Sequence, residues 1–385
     1  MASRTQFQQT LKKPYNRILF GTEVLKPVFG PALSLNANPV DAGIGITATE
    51  TKVIEKVQIY GNIELEDGTE ITCYEIVLQP KVKIDQSKVA IQQYVRKLLI
   101  AGQAALVNFV QPGNGDMWRL TLVAKDTEFT EEGIKEKPTH AKRYTYLVET
   151  GQDKTNKTLS ERLEKLSISN LQFKDLVEAF SVEKLSKLFF DEYTEHYDCF
   201  VEHLNKAAFK KSVFNGDEKA IRDFAKKLLG RIVFLYFVQK KGWLGATTTE
   251  YKDGLPDFLM TLFNTSGGDA GFYSNWLSPL FFETLNRERK NDEFKMPDGR
   301  VVKIPFLNGG LFDKEKIDEA ILTFKPALFH NPKNPDDPKH RGFLDFLDAF
   351  NFTVYEDSPD DHTVAVDPEM LGHIFENLLE DNKDK

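Results

Sequence analysis

The sequence predicts an α/β domain over residues 1–150, followed by a mainly α-helical domain over residues 151–385. Two observations support this division. The pair Asp67-Gly68 separates two segments of alternating apolar residues, which is the pattern of a β-hairpin. From about Thr155 onward, apolar residues recur three and four positions apart, as they do on the buried side of a helix.

Within the first 150 residues, we expect the order strand, strand, helix, strand, strand. The hairpin supplies the first two strands. The helix is predicted in QSKVAIQQYVRKLLIAG, because apolar residues repeat there at helical spacing. The last two strands are predicted in AALVNFV and WRLTLVAK, on either side of the turn QPGNGD. A further helix is predicted before the hairpin, in TATETKVIEK.

The second domain is predicted to consist of helices joined by polar loops. One long helix carries an apolar stripe made of Phe190, Tyr193, Tyr197, Phe200 and Leu204. Further helices are expected at 218–240, 256–264, 273–287, 314–322 and 342–350. In the last helix, Asp367 is the predicted N-cap and Pro368 occupies the first helical position. The chain ends soon after this helix, so we expect a piece of a longer protein, cut at a domain boundary.

Composition restricts the class of protein. The chain has 385 residues and only two cysteines, Cys73 and Cys199, which favours a reducing compartment over a disulfide framework. The start of the chain lacks the apolar segment of a signal peptide. The longest apolar run, LLGRIVFLYFV, is shorter than the ~20 residues that a bilayer span requires. We therefore expect a cytoplasmic protein with no membrane partner.

A candidate metal site lies on the predicted hairpin. A two-residue loop at Asp67-Gly68 would pair Tyr60 with Glu75 and would place Glu64 on the same face. Two carboxylates of this kind bind a hard cation such as Mg²⁺ through oxygen. Glu64 and Glu75 are therefore the candidate metal ligands and candidate catalytic residues.

The position where a metal-dependent nuclease would carry its lysine is held by Val77. A lysine stabilises the attacking water or the charge of the phosphate in such a site. In this sequence that charge would have to come from Lys88, or from Lys81. The alternative is that Glu75 is a residue at the rim of a solvated sheet face.

A candidate DNA-binding surface surrounds the predicted helix of the first domain. Its members are Lys81, Lys83, Lys88, Gln92 and Arg96, with Lys97 beside them. Lys88, Gln92 and Arg96 follow each other at four-residue steps and share one helix face. Such a face suits contacts with the phosphate backbone of double-stranded DNA.

A helix face that is simply exposed to solvent explains the same pattern of basic residues. Because the net charge is −8, a DNA-binding surface must be a local basic patch.

Other groups of residues give weaker indications of a functional site. The seven histidines are scattered and show no zinc-ligand spacing. The glycine pairs in GGLF and TSGGDAG lack the lysine and the spacing of a phosphate-binding loop. The segment IPFLNGGLFD is predicted to form a tight loop with Leu311 and Phe312 in the core.

Several stretches carry a family resemblance when they are considered together. They are RYTYLVETGQDKTNKTLSERLEKL, LVEAFSVEKLSKLFFDEY, LLGRIVFLYFVQKKGWLG, IPFLNGGLFD and VDPEMLGHIFENLLE. In this order they resemble the N-terminal half of type IIG restriction–modification enzymes, and they are similar to methyltransferases of the phage-exclusion (BREX) systems. The resemblance covers roughly residues 20–380.

The resemblance implies an α/β restriction-endonuclease-like domain followed by a mainly α-helical connector domain. In such proteins an adenine-specific DNA methyltransferase, which binds S-adenosylmethionine, and a target-recognition domain follow the connector. The Asn-Pro-Pro-aromatic motif that holds a flipped adenine does not occur in this sequence. Glu75 matches the acid of the family's acid-x-lysine pair, and Val77 departs from it, which puts cleavage in doubt.

Three hypotheses follow. The chain is the N-terminal portion of a bacterial restriction–modification or phage-defence enzyme with a nuclease-like domain. Alternatively, it is a non-catalytic module that contacts duplex DNA and positions the methyltransferase. The third hypothesis is an unrelated helical interaction protein with an α/β cap.

Overall fold

The computed structural model describes residues 3–82, 84, 94, 97–99, 104–113, 117–130, 133–151, 156–167, 170–307, 309–334, 337–352, 361–363, 365, 366, 370 and 372. The chain divides into two compact units, Met1–Leu185 with Asp357–Ala365 and Ser186–Glu356 with Val366–Lys385. This division comes later than the predicted boundary at residue 150. The reason is that the next helix, Lys157–Leu166, packs on the N-terminal helix, where Arg4 forms a 2.8 Å ion pair with Glu161.

The first unit is built on a mixed sheet of seven strands, which confirms the α/β class. The strands are β1 (Leu33–Asp41), β2 (Ile54–Glu64), β3 (Glu70–Leu78), β4 (Ala104–Val110), β5 (Met117–Thr130), β6 (Gly133–Glu149) and, much later in the chain, β9 (Asp361–Thr363). They lie in the order β1-β2-β3-β4-β5-β6-β9. Neighbours are antiparallel except for β3–β4 and β6–β9, which are parallel. Strand β3 therefore lies in the interior of the sheet.

Helical segments before and after the sheet complete the first unit. They are α1 (Arg4–Leu11), α2 (Arg17–Leu19), α3 (Lys26–Phe29), α4 (Lys157–Leu166) and α5 (Phe173–Ala179). A π-helical turn, Phe20–Leu25, joins α2 to α3, and single 3₁₀ turns occur at Gly30–Ala32 and Glu50–Lys52. The helix predicted in TATETKVIEK is wrong, because only that second 3₁₀ turn forms there. Strand β2 already begins at Ile54, where β-branched side chains favour an extended chain.

The two faces of the sheet are buried against different segments. On one face, Tyr74, Ile76 and Leu78 of β3 pack with Tyr94 and Leu98, which belong to the segment predicted as a helix. The opposite face is the one that carries Glu75. It packs with the N-terminal segment, where the ring of Phe20 lies 5.1 Å from that of Trp118.

The hairpin between β2 and β3 forms as predicted, but its loop is one residue longer. The Leu65 N–H donates to the Thr69 carbonyl at 3.0 Å, so three residues make the turn. A two-residue type I′ turn needs positive φ at both central residues. Gly68 has φ of 79°, whereas Asp67 is not among the residues with positive φ. The pairing of the two strands is therefore shifted by one position from the predicted register.

The second unit is mainly α-helical, as predicted. Its helices are α6 (Val182–Leu204, which begins in the first unit), α7 (Ala207–Ser212), α8 (Glu218–Lys240), α9 (Phe258–Thr265) and α10 (Phe343–Asp348). π-helical turns occur at Tyr273–Leu277 and Leu280–Leu285, and 3₁₀ turns at Gly310–Phe312, Lys316–Glu319 and Pro326–Leu328. A small hairpin joins β7 (Glu293–Lys295) to β8 (Val301–Lys303). The predicted helix at 314–322 is thus only one 3₁₀ turn.

The aromatic stripe of the long helix α6 is largely as predicted. Tyr193, Phe200 and Leu204 are fully buried, whereas Phe189 rather than Phe190 occupies the core. The predicted final helix with Asp367 and Pro368 lies outside the described residues. Among the described residues, no helix has both the length and the apolar character that a bilayer span requires.

The predicted tight loop IPFLNGGLFD is held by a buried arginine of α8. Arg231 donates from Nε to the Leu311 carbonyl at 2.8 Å and from Nη2 to the Asp313 carbonyl at 3.1 Å. Its Nη1 pairs with Asp318 at 3.2 Å. Phe312 is buried as predicted. The loop is therefore held in place by contacts with a side chain of the core.

Candidate functional site

Glu75 lies near the middle of β3, on the sheet face that the N-terminal segment covers. Its backbone pairs with Gln58 of β2 on one side and with Asn108 of β4 on the other. Only 7% of its surface is exposed. A carboxylate buried to this extent is costly unless charged or hydrogen-bonding partners compensate it.

Glu64 is not part of this site, so the predicted shared face with Glu75 is wrong. The longer hairpin loop places Glu64 opposite Glu70, and an irregularity between Ile59 and Gly61 shifts the pairing again. Glu70 and Glu75 are five positions apart on one strand. Their side chains therefore point to opposite faces, about 17 Å apart along the strand. Glu64 and Glu75 cannot be ligands of one metal ion.

The partners of Glu75 come from the loop that follows α1 and from the first residue of α2. The Tyr15 hydroxyl donates to Oε2 of Glu75 at 2.9 Å. The Arg17 guanidinium donates through Nη1 to Oε1 at 2.9 Å. Both oxygens of the carboxylate are therefore engaged, one of them by a full positive charge.

Two asparagines keep these partners in place. The Asn16 side chain accepts a hydrogen bond from the Leu19 N–H at 3.0 Å and so caps α2, next to Tyr15 and Arg17. The Asn108 amide donates through Nδ2 to the Tyr15 hydroxyl at 3.0 Å. A directed chain of hydrogen bonds thus runs from Asn108 through Tyr15 to the Glu75 carboxylate.

Burial fixes the protonation state of the tyrosines at this site. Desolvation, followed by the charge of Glu75, raises the pKa of Tyr15 well above its usual value. Desolvation likewise raises the pKa of Tyr60, which lies at the irregularity of β2. Tyr15 therefore remains protonated at neutral pH and acts as a donor toward Glu75.

A cavity of about 410 Å³ opens beside the ion pair. Glu75 and Val77 form part of its wall, which confirms that these two residues of β3 share a face. Most of the remaining lining is apolar or amide-bearing, and Arg17 is the sole cation among the described residues that line it. The cavity therefore combines one ion pair with a largely neutral wall.

The residues of this site do not fit a Mg²⁺ ion. Such an ion takes six oxygen ligands, usually including one or two carboxylates. Among the described residues of the cavity wall, Glu75 is the only carboxylate, and Arg17 and Tyr15 occupy its oxygens. In the part of the chain that the structure describes, no group of three or more His, Cys, Asp or Glu side chains is arranged to hold a metal.

The predicted DNA-binding residues fall mostly outside the described part of the chain. This holds for Lys83, Lys88, Gln92 and Arg96, so Lys88 as a catalytic residue also remains a prediction. Lys81 is described and lies exposed just after β3. Lys97 forms a 2.7 Å ion pair with the buried Glu50, so it already has a partner within the fold.

Sequence patterns did not identify Tyr15, Arg17 or Asn108. The only local signal is Asn16, a typical N-cap residue that places Arg17 at the start of a helix. The contact between Arg17 and Glu75 joins positions 58 residues apart. The periodic spacing of apolar residues gives no information about contacts at such a separation.

Comparisons of the chain with protein-family models, with curated proteins and with solved structures give no match.

Proposed function

We propose that this chain is the N-terminal portion of a bacterial restriction–modification or phage-defence protein whose sheet unit contacts DNA without cleaving it. In this proposal the sheet unit is a restriction-endonuclease-like domain that has lost its metal site. The helical unit connects it to an adenine-specific methyltransferase, which binds S-adenosylmethionine, and to a target-recognition domain.

One observation carries the non-catalytic part of this proposal. The acid that matches the nuclease pattern, Glu75, is neutralised by Arg17 and hydrogen-bonded by Tyr15. The lysine position is the apolar Val77, and the second predicted acid, Glu64, is on the other face of the sheet. Each feature removes a different requirement of metal-dependent phosphodiester cleavage.

The topology is compatible with a nuclease-like core. The strand with the candidate acid lies in the interior of a mixed sheet, beside the parallel strand β4. A parallel pair requires a crossover connection between its strands, and the segment predicted as a basic helix occupies that connection.

A second candidate is Mg²⁺-dependent cleavage that uses Glu75. The cavity beside this carboxylate and the partial exposure of the Arg17 side chain, 28%, favour it. Cleavage would require Arg17 to leave Glu75, so that the carboxylate becomes available.

Incubation of supercoiled plasmid with Mg²⁺ or Mn²⁺ separates the two candidates. We expect no nicking or linearisation by the wild type, by Arg17→Ala or by Glu75→Gln. Cutting by the wild type that disappears in Glu75→Gln would overturn the non-catalytic proposal. Repeating the assay with the methyltransferase and recognition domains attached tests whether those domains are needed for engagement of DNA.

DNA contact itself is tested by fluorescence anisotropy with a short duplex in EDTA. We expect affinity to fall steeply with added salt, because phosphate contacts release counterions. The variant Lys81→Glu with Lys88→Glu should bind more weakly than Lys252→Glu with Lys295→Glu, which makes the same change in net charge at exposed sites of the second unit. Equal affinities of the two variants would contradict a basic helix face that binds DNA.

A further inference from the structure

The cavity beside the Arg17–Glu75 ion pair has the size and composition of a small-ligand site. Its volume is about 410 Å³, and its wall includes Val77 of β3 and Val110 of β4, which pair with each other across the two strands. Small-ligand sites are clefts of this size that have mostly apolar walls and a few polar groups to orient the ligand. Such a ligand would meet apolar surface and the Arg17 guanidinium at the same time.

A buried glutamine holds one wall of this cavity in place. Gln111 directly follows β4 and lines the cavity. Its Nε2 lies within hydrogen-bond distance of the carbonyls of Gln79, Pro80 and Val82, at 2.9, 2.7 and 2.8 Å. These contacts connect the end of β4 to the segment that follows β3. The wall is therefore ordered before a ligand arrives, which lowers the entropy cost of binding.

Arg17 has donors that the fold leaves unused. Its Nη1 donates to Glu75 at 2.9 Å, whereas Nε and Nη2 have no hydrogen-bond partner among the described residues. The side chain is 28% exposed and lines the cavity. The N–H groups of Nε and Nη2 lie along one edge of the planar guanidinium, so together they form a fork of two parallel donors. The ion pair with Glu75 fixes the orientation of this fork.

The charges of the wall favour an uncharged ligand. Arg17 and Glu75 are the only charged groups among the described residues that line the cavity, and their charges cancel. An anion such as phosphate would therefore lose its hydration without meeting an uncompensated cation. The apolar part of the wall suits a flat ring, and it consists of side chains such as those of Val77, Val110 and Met117.

A fork of two parallel donors selects a ring with two adjacent acceptors. Among the bases of DNA, only guanine has two acceptors side by side, O6 and N7, on the edge opposite the sugar-bearing minor-groove side. Adenine and cytosine each place an amino group on this edge, and thymine has a methyl group there. An arginine that donates to O6 and N7 of guanine is the commonest specific contact between proteins and DNA.

We propose that this cavity binds one unpaired guanine base, whose O6 and N7 accept hydrogen bonds from Nε and Nη2 of Arg17. Glu75 is then a positioning residue, because it orients the guanidinium. A base can enter a closed cavity only after it has left the stack of the duplex, so the ligand is an unpaired base. That the base belongs to DNA rests on the proposed function of the chain, whereas a site for the guanine ring does not.

Thermal unfolding with free nucleotides tests the site independently of DNA. A ligand that binds the folded state raises Tm. We expect guanosine monophosphate to raise the Tm of the wild type more than its deaza analogue, in which a C–H group replaces N7. The analogue keeps the phosphate and the shape of the ring but loses one of the two acceptors, so the comparison isolates the contact with the fork.

Two variants of the cavity and one matched control complete this experiment. Arg17→Lys keeps a positive charge beside Glu75 but lacks the planar fork, so its Tm should respond equally to the two nucleotides. Val77→Phe narrows the cavity and leaves the ion pair in place, and it should also remove the difference. The control Arg222→Lys, at an exposed position of α8, should respond like the wild type.

Duplex binding identifies the source of the base. Fluorescence anisotropy compares a short duplex that has a single unpaired guanine with the same duplex carrying unpaired deazaguanine. We expect the wild type and Arg222→Lys to bind the guanine duplex about tenfold more tightly. Arg17→Lys and Val77→Phe should bind the two duplexes equally.

The results separate this inference from the proposed function. A preference for guanine over deazaguanine that both cavity variants abolish supports the site. If this preference occurs with free nucleotides while no duplex binds at all, the site stands and the DNA function is overturned. Duplex binding by a wild type that distinguishes guanine from deazaguanine in neither experiment leaves the DNA function standing and overturns the site.

Discussion

The Arg17 guanidinium and the Glu75 carboxylate form an ion pair of 2.9 Å that connects the N-terminal segment to the interior of the sheet. The carboxylate is almost fully buried, whereas the guanidinium is partly exposed to the cavity. Arg17 thus occupies the place where a cation would approach Glu75. The same contact fastens α2 onto the sheet, so it has a structural role as well.

We expect this pair to show a measurable coupling energy. Arg17→Met leaves a buried carboxylate without its cation and should cost about 1–3 kcal/mol, less than a fully buried pair because Arg17 is partly exposed. Glu75→Gln should cost about 1–2 kcal/mol, since the amide oxygen can still accept from Tyr15. Urea unfolding of both variants and of the double variant measures the coupling, expected to be about 1–2 kcal/mol. A coupling within error of zero would mean that the ion pair does not stabilise the fold.

The buried Arg231 should not tolerate replacement by lysine. Its three contacts, with Leu311, Asp313 and Asp318, use three different nitrogens of one planar group. A single ammonium cannot reach all three acceptors. Arg231→Lys should therefore lower the free energy of unfolding by about 2 kcal/mol or more, close to the effect of Arg231→Met.

Thermal unfolding checks this prediction against a control on the same helix. Arg222 is exposed on α8, so Arg222→Lys should change stability by less than about 0.5 kcal/mol. If Arg231→Lys proves equally mild, the loop does not depend on the shape of the guanidinium.

His196 should make the protein sensitive to mild acid. Burial, and next the charge of Arg341, lowers the pKa of His196 from 6.5 to about 4. Between these values the unfolded chain binds a proton that the folded chain excludes, so stability is present above pH 6.5 and is lost as pH falls toward 4. The loss attributable to this residue is up to about 3 kcal/mol.

Unfolding measured across this range of pH provides the test. His196→Phe, which suits the neighbouring rings of Phe343 and Phe346, should flatten the loss of stability between pH 6.5 and 4. The exposed His340 is the control: its ion pair with Asp337 lies at the surface and contributes little, so His340→Gln should change the profile much less than His196→Phe. A profile of His196→Phe that follows the wild type would contradict this assignment.

Patterns within short segments predicted much of the architecture. The four strands β2 to β5, the hairpin, the long aromatic helix and the helix at 218–240 were predicted from apolar spacing and turn residues, whereas β1, β6 and β9 were not. The prediction of a helix in TATETKVIEK was wrong, because the β-branched residues of this segment favour an extended chain and β2 begins there. The predicted register of the hairpin was wrong, because the φ angle of one residue, Asp67, decides between a loop of two residues and a loop of three.

The sequence by itself therefore determined the class of each unit and singled out Glu75 as a candidate functional acid. Only the tertiary structure decided what surrounds that acid. Moving the register by one position transferred Glu64 to the other face, because side chains alternate along a strand. Packing of the N-terminal segment then placed Arg17 and Tyr15 on Glu75. Contacts between distant segments leave no periodic signal in a single sequence, which is why the partners of Glu75 could not be predicted from it.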